Sequence, residues 1–322
     1  MKYKRLGFLR QDASCIALGS VPMGTSLNEQ LSFEILDGFM DIGGNFIDTA
    51  RVYGDIANGV QGVAEQTIGR WMRARANRDK VILSTKGAHP PTHDAHISRM
   101  TPENIFSDCQ QSLTALDTDY IDIYFLHRDD TKRPVAEIMD ALNLLIKQGK
   151  VRALGASNWT SERILQANAY CLRQGLVGFS INQPQWALAR QINKEDDTLV
   201  QMDKPLYAYH RTTGMPLMAY TSLAKGFFTK ISQGGLANLN DKAKRRYLGD
   251  DNMRLYGKLL SYAPLLNLSI NALSLAFLTS QPFSAYPIVG VSSLAQLAQL
   301  SEAGDAVLPE KFVNELNDLC GF

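Results

Sequence analysis

An acid, a phenol, an ammonium and an imidazole stand at or just past the ends of apolar runs in this sequence. Asp48 closes "NFID" inside "GGNFIDTARVYGD" (residues 43–55), Tyr53 follows five residues later, Lys86 ends "VILSTK" and His127 ends "YIDIYFLH". If those runs are neighbouring strands, the four groups share one pocket. Asp48 would hold the Lys86 ammonium, and a positive charge beside Tyr53 would favour phenolate and lower the phenol's pKa. Making a phenol a usable acid near neutrality asks about 3–4 kcal/mol of the ammonium and imidazole together, which a partly desolvated site can supply. The pattern predicts proton donation by Tyr53. No member carries this alone, since a strand-end lysine is commonly a solvated charge and a lone histidine a structural group.

The elements that must position these groups are legible as an alternation. Short β-like runs, "CIALGS" (15–20), "NFIDTA" (45–50), "VILSTK" (81–86), "YIDIYFLH" (120–127), "RALGASN" (152–158), "FSINQP" (179–184), "LMAYTS" (217–222) and "AYPIVG" (285–290), are separated by longer helical patterns. Several runs are apolar on consecutive positions, as parallel strands covered on both faces are. Ser26 with Glu29 predicts a capping box, and Thr101-Pro102 predicts a cap before an N1 proline. Ile138, Leu142 and Leu145 form one stripe on a helix that stops near Gly149. Eight such pairs without a Pro/Gly/Ser linker predict a single domain over 1–322, a (β/α)8 TIM barrel; a doubly wound eight-stranded sheet is the alternative. "MKYKRLGFL" is expected to form a hairpin plugging the barrel bottom, residues 223–250 a long insertion after the seventh strand, of a kind often found as a lid or disordered, and 305–322 a terminal helix.

Composition limits the partners. Lys+Arg 33 against Asp+Glu 32 leaves a formal charge of +1, so no overall field draws nucleic acid or an anionic membrane. Cys15, Cys109, Cys171 and Cys320 are widely spaced and are expected to be reduced thiols of a cytoplasmic protein. No apolar run suggests a signal peptide or a membrane-spanning helix.

In a parallel barrel, chemistry gathers where the strands end. The constellation Asp48, Tyr53, Lys86 and His127, with "GGNFIDTARVYG", "STK", "FLH", "GASN", "INQPQW", "AYTSLAKG" and "PIVGVSSLAQL", resembles the aldo-keto reductase superfamily across the whole barrel. The resemblance implies carbonyl reduction, with hydride from a nicotinamide, the proton from Tyr53, tuning by Lys86 and His127, and salt-bridge support from Asp48. It further implies that Ser157, Asn158 and Gln183 hold the nicotinamide carboxamide and that Tyr220 stacks on its ring. Gly24 and Thr25 match the first-strand loop, Thr221, Ser222, Leu223, Lys225 and Gly226 the segment strapping the pyrophosphate, and Gly290, Ser292 and Gln296 the adenosine end. NADP is the implied cofactor and NAD the alternative. Where many relatives place a cation after the last strand, this chain has Val291, Ser292 and Gln296, so a 2′-phosphate would rest on Ser292 and on Lys242, Lys244, Arg245 or Arg246.

Other chemistries stay open at this point. A dinucleotide-binding regulatory subunit with little turnover is the main alternative. A glycosidase would pair Asp48 with Asp129 or Asp130, although Lys86 would neutralise one of the two. His89, His93 and His96 in "AHPPTHDAH" invite a metal, but Pro90 and Pro91 oppose the regular helix that would align them, and a wall of the substrate pocket is the expected role. Arg128, Trp159 and Trp186 are expected to join Tyr53 and His127 around the substrate, which suggests a polar, sugar-like carbonyl compound.

Overall fold

The computed structural model describes residues 1–55 and 61–322. A short antiparallel pair, β1 (Tyr3–Lys4) and β2 (Ala13–Ser14), precedes the barrel strands. These are β3 (Ala17–Gly19), β4 (Phe46–Asp48), β5 (Ile82–Gly87), β6 (Ile121–Leu126), β7 (Val151–Ser157), β8 (Phe179–Gln183), β9 (Leu217–Ala219) and β10 (Ala285–Val289). All eight pair in parallel with their sequence neighbours, and β10 closes on β3, giving the (β/α)8 barrel. Every strand falls within its expected segment or one residue beyond it.

Helices α1 (Glu29–Asp41), α2 (Val63–Arg75), α3 (Pro102–Leu116), α4 (Val135–Lys147), α5 (Ser161–Gln174) and α6 (Lys204–Thr213) return the chain after β3 to β8. Next come α7 (Phe227–Gly234), α8 (Asp241–Tyr247), α9 (Asp250–Leu266), α10 (Ile270–Thr279), α11 (Leu294–Asp305) and α12 (Glu310–Cys320). The α3 cap is as expected, with Thr101 accepting from Asn104 N. At α1 the expectation is corrected: Asn28, not Ser26, caps the helix by accepting from Leu31 N at 2.9 Å, and Glu29 instead pairs with Arg70. An asparagine one residue before the helix satisfies an orphan N–H directly, which leaves Ser26 outside the first turn.

The plug is present. Leu6 and Leu9 are buried with Phe46, Ile82, Phe125, Ile181 and Tyr286, whose strands line the barrel interior. The glycine pair before β4 has two separate causes. Gly43 has φ +85°, and at Gly44 a Cβ would lie 2.3 Å from the Phe39 ring, so α1 can pack against the turn only if that residue lacks a side chain. The insertion at 223–250 is mostly helical, with Phe227, Phe228 and Tyr247 buried. The last helix starts at Glu310, because residues up to Asp305 belong to α11. The four cysteines are free and buried. No single helix among the described residues is long and apolar enough to cross a membrane.

Candidate active site

Strand register brings the expected quartet together. Asp48 on β4 stands opposite Ser84 on β5, and Lys86 lies two residues further on, so Ser84 and Lys86 point to the same inward face. Lys86 Nζ donates to Asp48 Oδ2 at 2.6 Å and to Thr49 O at 2.7 Å, both groups being almost wholly buried. Ser84 Oγ donates to Asp48 Oδ1 at 2.8 Å and Gln183 Nε2 to the same oxygen at 3.0 Å. A buried ion pair survives when the remaining polar atoms are satisfied in this way. Ser84 was not anticipated; its two-residue spacing from Lys86 on one strand is the sequence feature that identifies it.

Tyr53 caps this pair. Lys86 Nζ lies 5.0 Å from the centre of the Tyr53 ring, and the His127 ring centre is 5.9 Å away, nearly perpendicular to it. Burial works against charge on Lys86, but Asp48 and then Tyr53 outweigh it and hold the ammonium above its ordinary range. Tyr53 reverses the expected direction. Burial pushes the phenol up, Lys86 pulls it down, Asp48 pushes it up again, and the balance lies above the usual value. The physical reason is first the burial of the phenol, with Asp48 offsetting part of the field of Lys86. Burial drives the His127 imidazole well below its ordinary pKa, with His89, Lys86 and Arg128 adding to this. At rest Tyr53 therefore carries its proton.

A cleft of about 740 Å³ runs from Asp48 and Tyr53 past Tyr220, Ser222 and Lys225 to Gly290, Ser292 and Gln296. That volume suits a bound cofactor. Its walls come from the ends of β3, β9 and β10 and from α7, α10 and α11. Thr221, Ala224, Lys225 and Gly226 all have positive φ, so the segment after β9 winds left-handed around the cleft wall, a strained form that tends to mark ligand sites. The cations of the lining are Lys225 and Lys230. Lys230 was not anticipated, and the expected basic residues of α8 are elsewhere: Arg246 and Lys242 pair with Glu195, and neither Lys244 nor Arg245 lines the cleft. Ser292 N and Oγ both donate to Gln296 Oε1, at 2.8 and 3.1 Å, so the two residues bind one another at the cleft's far end.

Other expected contacts are relocated. The first-strand loop supplies Val21 and Pro22 to the cleft; Gly24, at φ +70°, packs against Val63 and Thr67 of α2, and Thr25 Oγ1 donates to Pro22 O. Asn158 is tied into the protein. Its Nδ2 donates to His127 O at 3.0 Å and its Oδ1 accepts from Tyr220 OH at 2.7 Å and Val200 N at 3.1 Å, so as placed it braces His127 and Tyr220. Ser157 Oγ donates to Gln183 O. Trp159 has no exposed surface and donates through Nε1 to Arg128 O, with its ring against Phe179 and Arg163. Trp186 is buried among Tyr207, Phe277, Phe283 and Phe322. Both tryptophans therefore belong to the packing behind the mouth, because the chain turns them inward as it leaves the strand ends.

Arg128 is also engaged: Nη1 donates to His127 O, Nε to Thr198 Oγ1, and Nη2 lies 3.6 Å from Asp196. Asp129 pairs with Arg163 at 3.1 Å and is raised by burial to about 6, so it faces α5 and not Asp48. Among the described residues no three His, Cys, Asp or Glu side chains converge as a metal site would require.

The chain as a whole is similar to known proteins. The Aldo/keto reductase family profile matches residues 15–320. A norsolorinic acid reductase of Aspergillus flavus is 28% identical, over 95% of this chain and 77% of its own length. A probable voltage-gated potassium channel subunit beta of Oryza sativa is 31% identical over 95% of this chain and 92% of its own. A probable aryl-alcohol dehydrogenase of Saccharomyces cerevisiae is 27% identical over 92% of this chain and 90% of its own.

Proposed function

Because the chain belongs to the aldo/keto reductase family, we propose that it reduces the carbonyl group of a small molecule to an alcohol using a nicotinamide dinucleotide. The observation that carries this reading is the buried Lys86–Asp48 pair beneath Tyr53 and beside His127, at one end of a cleft of about 740 Å³. The cleft's volume, its two cations and its left-handed wall after β9 support a dinucleotide there. Tyr220, Lys225, Lys230 and Ser292 would hold it, and the bound nicotinamide supplies hydride. NADP is the favoured form, on the charge of Lys225 and Lys230, with NAD also accommodated.

The protein's part is the proton. Tyr53 OH donates to the carbonyl oxygen as charge develops there. The phenolate left behind is stabilised by the Lys86 ammonium, which is fixed in place by Asp48, Thr49 O and indirectly by Ser84 and Gln183. His127, neutral and held through its backbone carbonyl by Asn158, presents a ring nitrogen to orient the same oxygen without competing for the proton.

Replacing Tyr53 with Phe should lower kcat with NADPH and an aldehyde panel by at least about a thousandfold, while dinucleotide affinity, followed by tryptophan fluorescence, stays within about threefold. Normal turnover in that variant would overturn the assignment. The rice relative's name supports a second reading, a subunit that binds the dinucleotide and turns over little. Tight NADPH binding without oxidation by any carbonyl compound would favour it.

A further inference from the structure

Beyond Tyr53 and His127, a second imidazole packs directly against the ring of His127. The His89 ring centre lies 4.5 Å from that of His127, at 74°. Its setting is built with some care. Ala88, just before it, has φ +56°, a strained conformation for a residue with a side chain. The strain is held by Asp108, whose Oδ2 accepts from Ala88 N at 2.8 Å, and by Arg99, which pairs with Asp108 at 2.7 Å and donates to His89 O at 3.2 Å. A backbone kink so firmly clamped fixes where the next side chain goes.

The hydrogen bonds of His89 define what it offers. Nδ1 lies 2.6 Å from Pro90 O. A carbonyl oxygen can only accept, so Nδ1 carries the proton and Nε2 is left with its lone pair. Burial, with Arg128 adding to it, keeps this imidazole below its ordinary pKa and so neutral. The neighbouring cation, Arg128, is already bound to His127 O, Thr198 and Asp196 and is not available to an anionic substrate. His89 is therefore a neutral acceptor, and the cation Arg128 beside it is already paired.

We propose that His89 is a specificity-determining residue that accepts, through Nε2, the hydroxyl on the carbon next to the substrate's carbonyl, so that the preferred substrates are uncharged 2-hydroxy aldehydes and ketones. This rests on the reductase reading above. With the carbonyl oxygen between Tyr53 and His127, an adjacent hydroxyl is the donor within reach of a ring packed directly on His127.

The test compares 2-hydroxypropanal with propanal, which differ only in that hydroxyl, for wild-type protein, His89→Phe and His89→Gln. Phe keeps a ring against His127 without an acceptor, whereas Gln restores one. The ratio of kcat/KM for the hydroxylated over the plain aldehyde should fall about tenfold in His89→Phe, chiefly through KM, and recover most of that in His89→Gln. A ratio unchanged in His89→Phe, or lowered equally in both variants, would overturn the role of His89 while leaving the reductase reading intact. Wild-type protein inert on both aldehydes would fell the reductase reading and this inference with it.

Discussion

Glu65 shows how much a single buried group can cost. It is wholly buried on α2, its Oε1 accepts from Thr85 Oγ1, and no partner is present for Oε2 among the described residues. Burial raises its pKa from 4.5 to about 7. Between those values the unfolded chain releases a proton that the native state keeps, so the native state binds more protons and stability falls as pH rises. The loss is complete above the native value and amounts to about 3 kcal/mol at most. Glu65→Gln, which keeps an acceptor for Thr85, should match wild type in urea near the lower value and exceed it increasingly towards about pH 8. A midpoint difference independent of pH would show that Glu65 is not the group responsible. Residue-scale legibility has the same limit. Asp48, Tyr53, Lys86 and His127 were legible because strand ends are marked by apolar runs, whereas Glu65 lies in an ordinary helical pattern and only the packing of α2 on β5 reveals its burial. The direction of the Tyr53 shift was also illegible, since it depends first on how deeply the phenol is buried.

At the scale of elements, the insertion after β9 is where sequence reading was least successful. Its basic residues looked interchangeable, yet α8 turns Lys242 and Arg246 to Glu195 while α7 turns Lys230 into the cleft. Which face of a short helix meets a ligand is set by its docking, here by Phe227 and Phe228 packing inward. Trp186 makes the same point: a residue three past a strand end can turn to either side, and four aromatic neighbours draw this one into the core. Lys230→Ala should weaken NADPH binding about tenfold and NADH binding much less, measured as dissociation constants by fluorescence, since a lost cation matters most to a 2′-phosphate. Equal weakening of both would place Lys230 at the pyrophosphate or outside the site.

For the whole molecule, closure of the barrel was legible from eight alternating units, and the plug as a short segment standing before them. The plug packs its leucines onto the inward side chains of the strands. Leu6 is fully buried against the inward side chains. Leu6→Ala should cost about 2–5 kcal/mol, read as a lower urea midpoint. A cost below about 0.5 kcal/mol would mean that the hairpin does not help hold the barrel together.

The quartet comes from one arc of the barrel, β4 to β6 with the loop after β4, while the cleft is walled chiefly by β3, β9 and β10 together with α7, α10 and α11. In the gene these are separate stretches, apart from the short first strand. A lineage could therefore rewrite much of what the protein grips without editing the codons for the reacting groups, with Asp48 and Tyr53 as the seam where the two tasks meet.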